Sequence, residues 1–266
     1  MPSKRTLLWD YTLTRDFPST QGIKDTVGTF KANGLLTNVI NWNAWRPTEL
    51  PAFFHFQPMV RTAAQLEGNE WEMIKTSVKN EMAKPGNGEV IVLTFNEPER
   101  IPLAPGRAAE LWRQKILPLR KQHGARLKLV SPSCASDPAG SKWLEDFMKI
   151  LGGGEKPDYL GAHFYTAQNQ PADQGVNSAK SYLTSLHSKY NLPIIVSEIA
   201  STSRNGGDVE KFSRDIAGWM DGQPWIKQYA FFGAMRQVAD GFVSPAAQLL
   251  DQAGHWTKLG KWWAGV

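Results

Sequence analysis

The chain has 266 residues, a formal net charge of +5, and 11 Trp, 12 Phe and 6 Tyr beside a single cysteine. That length fits one large α/β domain or two small ones, and the lone Cys134 excludes an internal disulfide framework and any multi-cysteine zinc or iron–sulfur site. The mild charge is not gathered into basic runs, so nucleic acid is not an expected partner, and no apolar stretch reaches the roughly 18 residues of a membrane span.

The first residues, Met-Pro-Ser-Lys-Arg, lead straight into an apolar run, so no secretory leader with a long apolar core is visible. Eight β-rich runs bounded by turn residues then follow, at 6–11, 38–42, 53–59, 90–95, 127–132, 159–165, 193–198 and 228–235. They recur at roughly 35-residue intervals, the length of one strand–helix unit, except for a gap of roughly 16 between the second and third. Near-continuous apolar runs such as Val90-Ile91-Val92-Leu93 and Ile194-Ile195-Val196 suit parallel strands buried on both faces. Between the runs lie helical patterns. Residues 107–123 place Ala108, Leu111, Trp112, Lys115 and Leu119 near one face, with Gly124 as a stop signal. Ser141 is the expected N-cap of a helix carrying Trp143, Leu144, Phe147 and Ile150, which ends at Gly152-Gly153-Gly154. The pattern predicts an α/β fold, a single (β/α)8 TIM barrel spanning residues 1–266 as one domain. Its second unit is degenerate, because only a short helix or loop over 45–50 fits the short gap.

In such a barrel the chemistry sits where the strands end. Those ends carry Trp9-Asp10, Asn41-Trp42-Asn43, Gln57, Asn96-Glu97-Pro98, Ser131 and Ser133, His163 and Tyr165, Glu198, and Phe231-Phe232. A carboxylate closing an apolar strand is costly to bury without a partner. One such Glu can be explained as a cap or an ion-pair member; two, Glu97 on the fourth strand and Glu198 on the seventh, point to paired carboxylate chemistry.

The segment Leu93-Thr94-Phe95-Asn96-Glu97-Pro98 resembles the Asn-Glu-Pro signature of the clan of retaining glycoside hydrolases built on (β/α)8 barrels, and Val196-Ser197-Glu198 resembles its second site. Within that clan the chain is most similar to glycoside hydrolase family 128. The similarity runs through Asn41-Trp42, Asn96-Glu97-Pro98-Glu99, Val130-Ser131-Pro132, Gly161-Ala162-His163-Phe164-Tyr165, Ser197-Glu198 and Phe231-Phe232-Gly233-Ala234-Met235. The resemblance implies an endo-β-1,3-glucanase that needs no cofactor or metal and takes a β-1,3-glucan polysaccharide or oligosaccharide as its partner. It also implies an extracellular or cell-wall setting, if a leader has been removed; a monomer is expected. Glu97 takes the role of acid/base and Glu198 that of nucleophile. Two departures stand out: Phe231 occupies the eighth-strand position where the family carries a Trp beneath the reacting sugar, and the run 53–60 fits the family pattern less well.

Retention needs two carboxyl groups about 5–5.5 Å apart, one protonated and one ionised. The negative nucleophile is expected to raise the pKa of Glu97. Asn96 is placed to bond the sugar 2-hydroxyl, and Tyr165, two residues after His163 on the same strand face, to orient Glu198. Trp42, Asn43, Gln57, His163, Phe231 and Phe232 complete the expected binding set. His163 could instead ligate a metal, but five His without ligand spacing favour a polar residue beside the carboxylates. Cys134 could be a nucleophile, yet it has no evident His–Asn arrangement and reads better as an inert thiol. Trp112, Trp143 and Trp219 fall on core-facing helix positions, whereas Trp42, Trp45 and Trp225 are expected on the catalytic face as sugar platforms or loop packing. Trp256, Trp262 and Trp263 are assigned to the last helix. Two alternatives stay open: action on another β-glycan, such as mixed-linkage glucan or mannan, and a non-catalytic β-glucan-binding barrel.

Overall fold

The computed structural model describes residues 3–16, 19–86, 88–237 and 241–266. Along the chain run β1 (Thr6–Leu8), α1 (Gln21–Val27), β2 (Asn38–Ile40), β3 (His55–Phe56), β4 (Met59–Val60), α2 (Gly68–Ala83) and β5 (Val90–Asn96). Next come α3 (Pro105–Leu111), α4 (Leu117–His123), β6 (Leu127–Ser133), α5 (Pro138–Ile150), β7 (Leu160–Tyr165), α6 (Ala172–Tyr190), β8 (Ile194–Ala200), α7 (Gly206–Gly222), β9 (Ile226–Phe231) and α8 (Lys258–Ala264). No helix among the described residues is long and apolar enough to cross a membrane.

The strands form three parallel sheets of three, β1-β2-β3, β4-β5-β6 and β7-β8-β9. Isolated parallel bridges join their edges: Val130 to Tyr159 and Cys134 to Ala162 between the second and third sheets, Arg5 to Tyr229 and Trp9 to Ala234 between the third and first. The third run of the sequence becomes two strands because it changes partner midway. His55 and Phe56 pair with β2, Met59 and Val60 with β5, and Pro58 between them has no N–H to continue a ladder. Both strand faces are buried, as the apolar runs require. On β5, Val90 and Val92 belong to the large cluster under the helices. Ile91 and Leu93 point the other way and join Leu8, Ile40, Met59, Val130, Ile195 and Ala230, one or more from nearly every strand, in a second cluster.

The gap before the third run holds no helix; Arg46 ties its turns by donating to the carbonyls of Pro47 and Leu50. The helix expected over 107–123 is interrupted by a π turn at Trp112–Ile116. Pro118 explains it, since a proline inside a helix removes a hydrogen bond and crowds the preceding turn. The cap of α5 is Asp137, not Ser141: Asp137 accepts from the Gly140 N–H at 2.8 Å and Pro138 opens the helix. At the other end of the chain, α8 lays Trp263 against Phe231 (4.8 Å) and Tyr229 (5.4 Å). The Arg5 guanidinium lies 5.0 Å from the rings of both Trp262 and Trp263.

Candidate active site

Glu97 and Glu198 come together at the carboxyl ends of β5 and β8 by different routes. Glu97 follows the last residue of β5 in a left-handed conformation (φ 43°), and Phe95 before it also has positive φ (30°). Four non-glycine residues have positive φ among those described: Trp42 (59°), Phe95, Glu97 and Asn191, which ends α6. Three of the four lie at the site, where backbone strain tends to be stored. The Glu97 N–H donates to Ser133 O at 2.8 Å, and Pro98 starts the following turn. Glu198 instead lies inside a seven-residue strand buried throughout.

Neutral donors hold the Glu198 carboxylate: Trp42 Nε1 donates to Oε1 at 2.7 Å and Tyr165 OH to Oε2 at 2.5 Å. Charge-accepting bonds of this kind keep a buried carboxylate oriented. The positive φ of Trp42 turns its indole inward, where it also meets Phe232 edge-on at 5.6 Å. A carboxylate oxygen of Glu97, one of Glu198 and a ring nitrogen of His163 all lie within 4.8 Å of one another. That spacing belongs with the close pair of a double displacement, well inside the roughly 6.5–9.5 Å left for a water in single displacement.

His163, fully buried on β7, binds the two carboxylates together. Nδ1 lies 3.0 Å from Glu97 Oε1, and Nε2 lies 3.1 Å from Ser197 Oγ and 3.6 Å from Glu198 Oε1. Below it Ser197 donates to Ser133 Oγ at 3.0 Å. Gly161 makes room for this layer: a Cβ there would meet Ser133 Oγ at 2.2 Å. Burial disfavours a charged ring, but Glu198, Glu97 and Glu99 outweigh it and raise the His163 pKa. Burial likewise pushes Glu97 up, yet the hydrogen bond and charge of His163, with Arg100, bring it below its ordinary value. The expectation of a raised Glu97 is therefore corrected for the free site. The hydrogen bond and charge interaction with His163 outweigh burial and reverse the sign.

The carboxylates open into a cleft of about 980 Å³. Of the expected residues, Trp42, Asn96, Glu97, Tyr165, Glu198 and Phe232 line it. Asn96 Oδ1 is buried without a hydrogen-bond partner among the described residues, which suits it to accept from a sugar hydroxyl. Phe231 does not reach the cleft. It packs on Trp263, while its neighbour Phe232 takes the place beside Trp42, a one-residue shift that sends the side chain to the opposite face. Gln57 is buried against Gln228 (2.7 Å), and Asn43 bonds the backbone of Asn41 (3.0 Å); neither is among the lining residues. Trp225 precedes β9, at the strand's amino end, and stacks on His187 at 4.7 Å, so it lies away from the catalytic face. Trp45 edges Tyr11 of the cleft wall, and Trp112 and Trp143 are buried in the core.

Sequence reasoning passed over Tyr11, Thr12, Arg61, Arg100, Asp137 and Phe242 in the wall, and examined Asp10 only as a strand end. The Arg100–Asp137 ion pair links the turns after β5 and β6. Burial pushes the Cys134 thiol far up, which leaves it un-ionised and unreactive. Glu97, His163 and Glu198 could together hold a cation, but both His163 nitrogens already face Glu97 and Ser197, and a ligating ring would give up one of these contacts.

A family model described as a glycosyl hydrolase catalytic core matches residues 18–263. A solved exo-β-1,3-glucanase of glycoside hydrolase family 128, subgroup VI, from Aureobasidium namibiae is 41% identical, with a TM-score of 0.84 over 99% of this chain and 96% of that one. The subgroup IV endo-β-1,3-glucanase from Lentinula edodes is 19% identical, with a TM-score of 0.74 over 99% and 100% of the two chains. A subgroup VII oligosaccharide-binding protein from Cryptococcus neoformans is also 19% identical, with a TM-score of 0.66 over 99% and 93%. No curated protein matches the chain.

Proposed function

Because the chain belongs to glycoside hydrolase family 128, we propose that it hydrolyses β-1,3-glucan by a double displacement, with Glu198 as nucleophile and Glu97 as acid/base. The observation that carries this reading is the carboxylate pair within 4.8 Å, one member bonded by Trp42 and Tyr165 and the other by His163. Glu198 attacks the anomeric carbon while Glu97 protonates the departing glycosidic oxygen; Glu97 then removes a proton from the water that releases the sugar. At rest the Glu97–His163 pair holds one proton. Substrate that displaces water from the cleft disfavours the separated charges and moves this proton onto Glu97, where the leaving oxygen needs it. Asn96 and Tyr165 act on the 2-hydroxyl and on the orientation of Glu198.

We take the three sheets as one closed barrel of eight βα units forming a single catalytic domain, a reading supported by the parallel bridges at the sheet edges. The mode we propose is attack from a chain end, in place of the internal cleavage expected from sequence. Its support is the 41% identical relative, an exo-enzyme, whereas the endo-enzyme compared above shares only the fold at 19% identity. Incubating the protein with laminarin, mixed-linkage glucan and mannan tests the reading. Activity on laminarin that is lost in Glu198→Gln, with glucose as first product from laminari-oligosaccharides, supports it. Equal turnover of mannan removes the substrate assignment, and binding without turnover leaves a glucan-binding protein.

A further inference from the structure

We infer that Asp10 selects the chain end by accepting hydrogen bonds from the adjacent 3- and 4-hydroxyls of the non-reducing terminal glucose, an assignment that rests on the chain-end reading above. Asp10 lies in the cleft wall one residue after Trp9 at the end of β1, and its backbone is fixed there by an N–H bond to Ala234 O at 3.1 Å. Its Oδ1 accepts from the Thr12 N–H at 2.9 Å, which locks the side chain in a tight turn. Oδ2 has no protein partner among the described residues. The nearby Arg15 is occupied by Asp16 and lies over the Tyr11 ring. Asp10 is thus a half-buried carboxylate, held from both sides, with one oxygen and part of the other left for a ligand.

Its place in the cleft identifies which sugar it meets. Around the strand ends, Glu198 on β8 is followed by Phe232 after β9, Asp10 after β1 and Trp42 after β2. Glu97, Arg100 and Asp137 stand on the β5–β6 side. The leaving group must face its acid, Glu97, so the sugar attacked by Glu198 extends toward Asp10 and Trp42. Every internal glucose of a β-1,3-glucan has its O3 in a glycosidic bond; only the non-reducing terminus offers two free neighbouring hydroxyls at positions 3 and 4. A carboxylate accepts from such a pair with both oxygens, which an amide cannot do as well.

Asp10→Asn is the informative variant because its amide oxygen can still accept from Thr12 and keep the turn. Titrating laminaritriose into Glu198→Gln, with and without Asp10→Asn, should show about tenfold weaker binding when Asp10 is changed, the scale of a lost hydrogen bond to a charged group. The same comparison with laminaritriose lacking both its terminal 3- and 4-hydroxyls should show less than about a twofold difference. With Glu198 intact, Asp10→Asn should raise KM and leave kcat nearly unchanged. Equal binding by both proteins, or an equal loss with the deoxy sugar, overturns the role of Asp10 while leaving chain-end attack in place. A wild type that releases internal fragments from long laminari-oligosaccharides overturns both. Melting temperatures of all variants separate loss of the turn from loss of the contact.

Discussion

The ends of β5 and β8 carry the same side chain in opposite settings. Glu198 is enclosed within a strand, with 8% of its side chain exposed, and is held by two neutral donors from β7 and the turn after β2. Glu97 sits one residue beyond its strand on a left-handed backbone, is 26% exposed, and answers to one titratable ring. Neutral donors fix an ionised carboxylate and do not compete for its proton, whereas an imidazole can share one. The difference teaches that role follows from partners: the fixed carboxylate suits attack on carbon, and the proton-sharing one suits acid/base exchange.

Removing the fixed member breaks this contrast most severely. Glu198→Gln should keep the cleft and its ligand affinity but lower kcat by about 10⁴-fold or more, as loss of a covalent nucleophile implies; near-normal turnover would show that both carboxylates do the same work. Glu97→Ala should cost about 10²–10⁴-fold on laminarin, the range for a general acid, and much less in the first step on an aryl glucoside whose leaving group needs no proton. A proportionate loss on both substrates would take the acid role from Glu97. Tyr165→Phe deletes one donor to Glu198 and should reduce kcat by about 10- to 100-fold with little change in KM. Trp42→Phe removes the indole N–H but keeps a ring, and should follow the same pattern with a smaller loss, about tenfold.

The proton-sharing side is sharpened by pH. The His163 pKa is raised and that of Glu97 is lowered, so their shared proton remains until the pH climbs through the raised His163 value. In His163→Gln the proton rests on Glu97 alone. The alkaline limb of kcat/KM should therefore move to lower pH, with the acid limb in place. A uniform drop with no movement of the limb would reduce His163 to packing.

Much of the fold was legible because both-face burial writes itself as unbroken apolar runs, and because carboxylates closing two such runs have few purely structural explanations. What escaped has local causes. Pro58 splits a strand by denying it one donor, and Pro118 inserts a π turn into an apolar periodicity that gives no sign of it. Phe231 and Phe232 are adjacent aromatics, and composition cannot tell which faces inward until the register at the end of β9 is known. The sign of the Glu97 shift depended on a histidine 66 positions away in sequence. Phe242 has no pattern around it that marks a cleft wall, and it meets Tyr165 (5.2 Å) only after the chain has folded.

The stereochemistry of the first product tests the carboxylate assignment most directly. Proton NMR of laminari-oligosaccharide hydrolysis, read before mutarotation, should show the β-anomer forming first, because two displacements at the anomeric carbon restore its configuration. Initial appearance of the α-anomer would mean a single displacement by water and would contradict the assignment of Glu198 as nucleophile.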